Sequence, residues 1–257
     1  MKEYREKSVQ ELKSLRESGK RLRLVLETVI QAAKPGVSTK ELDVIAEREI
    51  RAAGGIPIFK GYGSEWGKPF PASLCTSINQ EVVHGIPSEK RVLREGDLLK
   101  LDIGLRFEGM VTDMARTVAV GVVSAEAEQL LRVTQGSLDL GIDNIRAGAH
   151  LSDYARAVQA HAEQHGYSVV RDLVGHGVGH ELHEDPQVPN YFHAGIRDFV
   201  FTKGMVLALE PMVNAGGLQV RIASDGWTFM TTDGKLSAHF EDTIIVTDKG
   251  AEIVTRG

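Results

Sequence analysis

The chain has 257 residues, 42% of them hydrophobic and 25% charged, enough to bury one substantial core in a single domain or two fused halves. Its net charge of −5 argues against a surface built for nucleic acid or anionic lipid, and no apolar run approaches the ~20 residues of a membrane span. The N-terminus, Met-Lys-Glu-Tyr-Arg-Glu-Lys, lacks a hydrophobic signal core, and Cys75 is the sole cysteine. Neither secretion nor an intrachain disulfide is therefore expected, and the expectation is a cytoplasmic protein.

From residue 8 to 33, Leu12, Leu15, Gly19, Leu22, Leu26, Val29 and Ala33 recur in steps of three and four, which is one face of a helix. Ser8 with Glu11 reads as its capping box, and Pro35-Gly36 ends it. A second helix opens at Ser38 with Glu41 and closes at Gly54-Gly55. The Gly/Pro-rich stretch 61–71 reads as a surface loop, and 72–121 as strand-rich. Two more helices follow at roughly 124–146 and 152–165, then strands from 167 to 255. Each half is thus two helices followed by antiparallel strands. Lys34-Pro-Gly-Val-Ser and Arg146-Ala-Gly-Ala-His both join a long helix to a shorter one. The pattern predicts one α+β domain over 1–257, pseudo-symmetric about a boundary near 121/122, with helices outside a curved sheet.

Chemistry concentrates in the strand-rich parts. In Leu98–Ala115, Glu108-Gly109 reads as a two-residue hairpin turn. That register sets Asp113 opposite Gly104 and puts Asp102 on the same face as its diagonal neighbour, whereas a slip of one residue would separate them. An exposed acidic hairpin is the competing reading of this segment alone. Two buried carboxylates side by side require a proton or a cation. His176, His180 and His183 crowd into Gly175-His-Gly-Val-Gly-His-Glu-Leu-His, whose spacing is not the zincin His-Glu-x-x-His. Glu210 precedes Pro211, which favours an extended backbone, and Glu241 leads into the apolar Thr243-Ile-Ile-Val. Alone, each of these glutamates reads first as a solvated strand edge, and His84 as a structural histidine before a turn. Together, Asp102, Asp113, His176, Glu210 and Glu241 suit a two-metal hydrolase. Like charges ~4 Å apart cost about 4 kcal/mol at an effective dielectric of 20. Several such pairs would rival a whole domain's stability of roughly 5–15 kcal/mol. Oxygen ligands with one imidazole fit Mn, Fe, Co or Zn.

The sequence closely resembles the type I methionine aminopeptidases over nearly its whole length. The matching stretches are Lys34-Pro-Gly-Val-Ser-Thr, Ser77-Ile-Asn, Val83-His-Gly-Ile-Pro, Asp102-Ile, Gly175-His-Gly-Val-Gly, His183-Glu-Asp-Pro-Gln-Val, Glu210-Pro-Met-Val-Asn-Ala-Gly, Asp225-Gly-Trp-Thr and Ser237-Ala. The resemblance implies the pita-bread fold and two divalent metal ions. Asp113 and Glu241 would bridge the ions, Asp102 would complete one site, and His176 with Glu210 the other. It implies further that Glu210 accepts a proton, His183 stabilises the carbonyl oxygen, and His84 contacts the scissile nitrogen. Tyr62, Phe70, Cys75, Leu182 and Trp227 would line the methionine pocket. The chain departs from the family pattern at Phe70 and Leu182, where Tyr and Phe are typical, at His180 for arginine, at Asp242 for histidine, and in a longer loop before Pro71.

The implied activity is removal of the initiator methionine from nascent chains and peptides with a small second residue. The expected partners are peptide N-termini and a transient ribosome contact, with no nucleic acid or membrane partner and a monomeric state. Two other readings share the scaffold: a proline-specific aminopeptidase, which usually carries an extra N-terminal domain, and a non-catalytic binding protein, which would have lost ligands.

Overall fold

The structure, a computed structural model of the chain, describes residues 5–256. Residues 1–4, the start of the segment read above as lacking a signal core, and residue 257 lie outside the described residues. Among the described residues no helix is long and apolar enough to cross a membrane.

Among the described residues four α-helices form where the apolar periodicity places them. Helix α1 spans Val9–Ala32 and α2 spans Thr39–Ala52, and both open with the expected capping box. Ser8 Oγ accepts from the Glu11 amide and the Glu11 carboxylate accepts from the Ser8 amide at 2.8 Å, and Ser38 and Glu41 repeat the arrangement. Helix α3, Ala125–Asp143, stops short of the predicted 146, and α4 spans Leu151–Gln164. Tertiary hydrogen bonds account for the early stop. Ala147 N–H donates to Thr247 O and Gly148 N–H to Phe201 O, which draws these residues off the helical path.

The two interhelical linkers are equivalent bond for bond. Gly36 and Gly148 both take the left-handed conformation, at φ 92° and 89°. Gly36 N–H donates to Leu93 O and Thr39 N–H to Arg91 O, while Leu93 N–H returns to Val37 O. In the second half Gly148 donates to Phe201, Leu151 to Phe199, and Phe201 returns to Ala149. The echo noticed in sequence is therefore a repeated hydrogen-bonding unit.

All strand pairing is antiparallel, and the expected curved sheet is divided into four short sheets among the described residues. The largest ladder is the hairpin Leu98–Phe107 with Met110–Ala119. Its turn residues Glu108 and Gly109 have φ 49° and 82°, the paired positive values of a type I′ turn. Cys75–Ile78 flanks this hairpin, with Cys75 opposite Asp102. In the second half Val206–Leu209 lies between Asp242–Val246 and Gly175–Gly177. A single bridge from Ala115 to Glu241 connects the hairpin to that second-half sheet.

Strand alternation decides what faces the site. Leu99, Leu101, Ile103 and Leu105 pack with Leu22, Leu26, Leu42 and Ile50 of α1 and α2 into one core. The alternate positions Lys100 and Asp102 face the other way, toward the second half. There a separate core joins Leu130 and Leu138 of α3 and Tyr154 and Val158 of α4 to Leu207, Leu209 and Ile244. Lys100 is fully buried, and its ammonium donates to Asn79 O at 2.7 Å and Ser237 O at 2.9 Å, which ties strands of the two halves together.

A metal-ligand cluster beside an apolar pocket

The five acidic and histidine positions singled out from sequence converge on one cavity of about 80 Å³. The hairpin register is the expected one, with Gly104 opposite Asp113 and Asp102 opposite Ala115. Asp102 and Asp113 therefore lie diagonally on one buried face. Thr243 fixes the second of them. Its hydroxyl donates to Asp113 O at 2.7 Å and accepts from the Asp113 amide at 3.0 Å. Glu241 reaches the same place through the bridge, its amide donating to Ala115 O at 2.9 Å.

Glu210 needs a correction in detail. It was expected on a strand, and it sits in the break between Val206–Leu209 and Met212–Asn214. Pro211 has no N–H to give to the ladder, so pairing stops there and the carboxylate turns inward. Its carbonyl accepts from Asn190 Nδ2 at 3.2 Å, and Asn190 is in turn held by the Tyr154 hydroxyl at 2.6 Å. His176 lies in the short strand Gly175–Gly177. Its Nδ1–H donates to Gly177 O at 2.9 Å, which leaves Nε2 as the free lone pair, 3.3 Å from Glu210 Oε1.

The electrostatics of this cluster call for a cation. Ligand atoms of Asp113, His176 and Glu241 lie within 4.8 Å of one another. Asp102 Oδ1, Asp113 Oδ1 and Glu241 Oε1 are buried with no hydrogen-bond partner. Burial, then repulsion from the neighbouring carboxylates, pushes Asp113, Glu210 and Glu241 well above the usual carboxylate range, and burial pushes Asp102 to about 7. Four carboxylates cannot all be ionised here without positive charge, and unpartnered oxygens beside a neutral imidazole are the donors that hard-to-borderline divalent ions take. Burial also holds His176 near 4, so that it is neutral and able to ligate at physiological pH.

Two further histidines face the same space. His183 packs edge-on against His176 with ring centroids 4.4 Å apart, and its Nδ1 is 2.6 Å from the Tyr62 hydroxyl. His84 adopts a left-handed backbone at φ 60° and lies edge-on to Trp227 and Phe229. Burial lowers both, His84 to about 4 and His183 to about 2, the latter with added repulsion from His176 and His84. Both are neutral donors at pH 7.

Tyr62, Phe70, Cys75, Leu182 and Trp227 all line the cavity, together with Phe59, which the sequence reading missed. The stretch 61–71 is more than the expected surface loop. Its tip carries a short 3₁₀ turn, Ser64–Trp66, while Gly61 and Tyr62 bond back to Phe70 and turn the two rings inward. Cys75 is buried, and desolvation with the nearby carboxylates raises its thiol well above its ordinary value, so it serves as an apolar wall and not as a nucleophile.

Sequence reasoning also passed over His239. It is 1% exposed, both ring nitrogens lack partners, and Nε2 lies 3.7 Å from Glu210 Oε2. Its place two residues before Glu241 was the available signal. Asp242, noted as a departure, has a structural use. Its carboxylate accepts from Arg116 Nη2, Thr255 Oγ1 and Arg256 Nε, while Arg116 Nη1 donates to Glu241 O at 2.6 Å. Asp242→Ala should therefore lower unfolding free energy by about 3 kcal/mol, toward the low end for a broken buried pair because Arg256 keeps solvent contact. Urea denaturation measures it; a loss below about 0.5 kcal/mol would show that the network carries no stability.

Residues 13–248 match the model of metallopeptidase family M24, and the chain belongs to that family. Within it the relatives are consistent. The methionine aminopeptidase of Clostridium acetobutylicum is 48% identical, covering 95% of this chain and 96% of that protein. Methionine aminopeptidase 1 of Bacillus subtilis is 47% identical, over 97% of this chain and 98% of its own. The crystal structure of methionine aminopeptidase from Thermotoga maritima superimposes with a TM-score of 0.93 at 40% identity, covering 98% and 99% of the two chains. The fold is thus the pita-bread fold, and the chain falls among the type I methionine aminopeptidases, metal-dependent hydrolases that release an N-terminal methionine from peptides.

Proposed function

We propose that the cavity is a dinuclear centre that removes the initiator methionine from nascent chains whose second residue is small. The observation that carries this reading is the set of three buried, unpartnered carboxylate oxygens beside a neutral imidazole, opening directly onto an apolar pocket. Asp102, Asp113, His176, Glu210 and Glu241 would hold two ions of Mn, Fe, Co or Zn, with Asp113 and Glu241 shared between them. The chemistry supplied by bound divalent cations is polarisation of the scissile carbonyl and acidification of an attacking water.

The chain's own residues do the rest. Glu210, ionised once the cations are bound, takes the proton from the attacking water. His183 Nδ1 pairs with the Tyr62 hydroxyl at 2.6 Å, and in the tautomer in which the hydroxyl donates, Nε2–H is free to donate to the carbonyl oxygen as its charge grows. His84, edge-on to Trp227 in the cavity lining, contacts the scissile nitrogen and assists its departure. The methionine side chain enters between Phe59, Tyr62, Phe70, Cys75, Leu182 and Trp227. An unbranched thioether suits this narrow space, and its burial contributes about 1.5–3 kcal/mol. The active unit is the single domain 1–257 with halves of about 1–121 and 122–257, working as a cytoplasmic monomer with transient contact to the ribosome.

A peptide panel tests this on metal-reconstituted protein. Met-Ala-Ser, Met-Gly and Met-Ser peptides should be cleaved with kcat/KM about tenfold or more above Met-Lys-Ser. Equal values would refute the second-residue rule, and faster cleavage of Ala-Pro-Ala than of Met-Ala-Ser would move the specificity to proline.

A further inference from the structure

The turn that carries Leu182 and His183 is fastened from the N-terminal segment of the chain. Glu184 is buried, with its side chain 2% exposed, and one of its oxygens accepts from the amides of His180 at 2.6 Å and Glu181 at 2.9 Å. Its other oxygen accepts from Lys7 Nζ at 2.5 Å, and the Lys7 side chain is 0% exposed. Lys7 passes so close beneath the turn that a Cβ on Gly179 would stand 2.5 Å from Lys7 Cε. Two outer contacts complete the fastening. His180 Nε2 lies 2.8 Å from Glu11 Oε1, and Arg106 Nη1 donates to His180 O at 3.0 Å.

A carboxylate that organises two backbone amides inside the protein needs a counter-charge of its own, and Lys7 supplies it from 177 positions away in sequence. We infer that Lys7 is a positioning residue for the reaction, acting through Glu184 to hold the turn that sets His183 and Leu182 against the cavity. The inference rests on the role given to His183 above. Lys7 does not line the cavity, so its effect is transmitted by geometry. A displacement of about 1 Å in a group that must meet a developing charge costs on the order of 100-fold in rate.

Three variants test it: Lys7→Met, Lys7→Arg, and Lys7→Met combined with His180→Arg. The double variant is informative because His180 Nδ1 is already 3.8 Å from Glu184 Oε1, so an arginine there can bring the missing charge to the same carboxylate. Metal content, kcat and KM on Met-Ala-Ser, and hydrogen exchange of the 180–184 amides are measured on each full-length protein. Lys7→Met should keep its metal, lose about 10- to 100-fold in kcat with KM changed by less than about threefold, and exchange the His180 and Glu181 amides faster. Lys7→Arg and the double variant should recover most of the rate and the protection. Unchanged kcat and exchange in Lys7→Met would overturn the inference, as would loss of metal in parallel with rate, which would indicate general collapse. If Lys7→Met does not fold, the double variant decides: a folded, active protein supports the charge transfer and an unfolded one overturns it. Faster exchange in Lys7→Met alongside a wild type inactive on Met-Ala-Ser would support the fastening while refuting the functional reading.

Discussion

Asp113→Ala or Glu241→Ala should abolish both metal binding and turnover, whereas His84→Ala should keep the metal and lose rate alone. The difference follows from where the groups point. Asp113 and Glu241 present unpartnered buried oxygens to the cluster, and with His176 their ligand atoms lie within 4.8 Å of one another. Removing either takes a donor from the middle of the set. His84 packs instead on Trp227 and Phe229, on the substrate side. Its loss should cost about 10²–10⁴-fold in kcat, the ordinary contribution of a proton-transfer group. Elemental analysis beside steady-state kinetics separates the two. An empty site in His84→Ala, or a full one in Glu241→Ala, would reverse the assignment.

Chelation should silence the enzyme and destabilise it, and the destabilisation should grow with pH. Asp102, Asp113, Glu210 and Glu241 all have folded-state values raised above their unfolded ones. In the metal-free protein their contribution to stability is present below the unfolded carboxylate range. It is lost as pH rises toward about 7, where Asp102 would ionise. His84, His176 and His239 are lowered, to about 4, 4 and 3, so the stability linked to their neutral forms is lost instead as pH falls from about 6.5 toward those values. Cation binding expels the carboxylate protons and so strengthens with pH. At a free cation concentration 1,000-fold above Kd the gain is about 4 kcal/mol, roughly 10 °C in Tm for a chain of this size. Melting curves with and without chelator between pH 5 and 8 read it directly. A gap that narrows as pH rises, or full turnover in protein shown to be metal-free, would contradict the cation's role.

Local signals and long-range pairings differed in how far they could be read from sequence. A two-residue turn at Glu108-Gly109 fixes every pairing of its hairpin, so the juxtaposition of Asp102 and Asp113 could be derived without coordinates. The helix starts were equally legible, because a capping box is four residues long. The end of α3 was not, since the bonds that draw 147 and 148 away come from residues 201 and 247. For the same reason Lys7 with Glu184 and Arg116 with Asp242 carry no signature in the linear order. The pocket walls came from family resemblance, and Phe59 escaped it. No periodicity distinguishes an aromatic that lines a cavity from one that fills a core.

The protein contains two tryptophans, one lining the pocket and the other packed behind the lining residue Tyr62. Trp227 is a wall, 5.4 Å from the Phe70 ring, and Trp66 stands edge-on to Tyr62 at 5.5 Å while remaining 65% exposed. Neither belongs to the two helix-backed cores. Intrinsic fluorescence is therefore an optical probe of one place. Filling the pocket should change the emission without any label, and an unfolding curve followed at that wavelength records the departure of the pocket walls, while far-ultraviolet dichroism records the helices. Where the two curves separate along a denaturant axis, the mouth of the enzyme loosens before its frame, and their coincidence would mark a single cooperative unit.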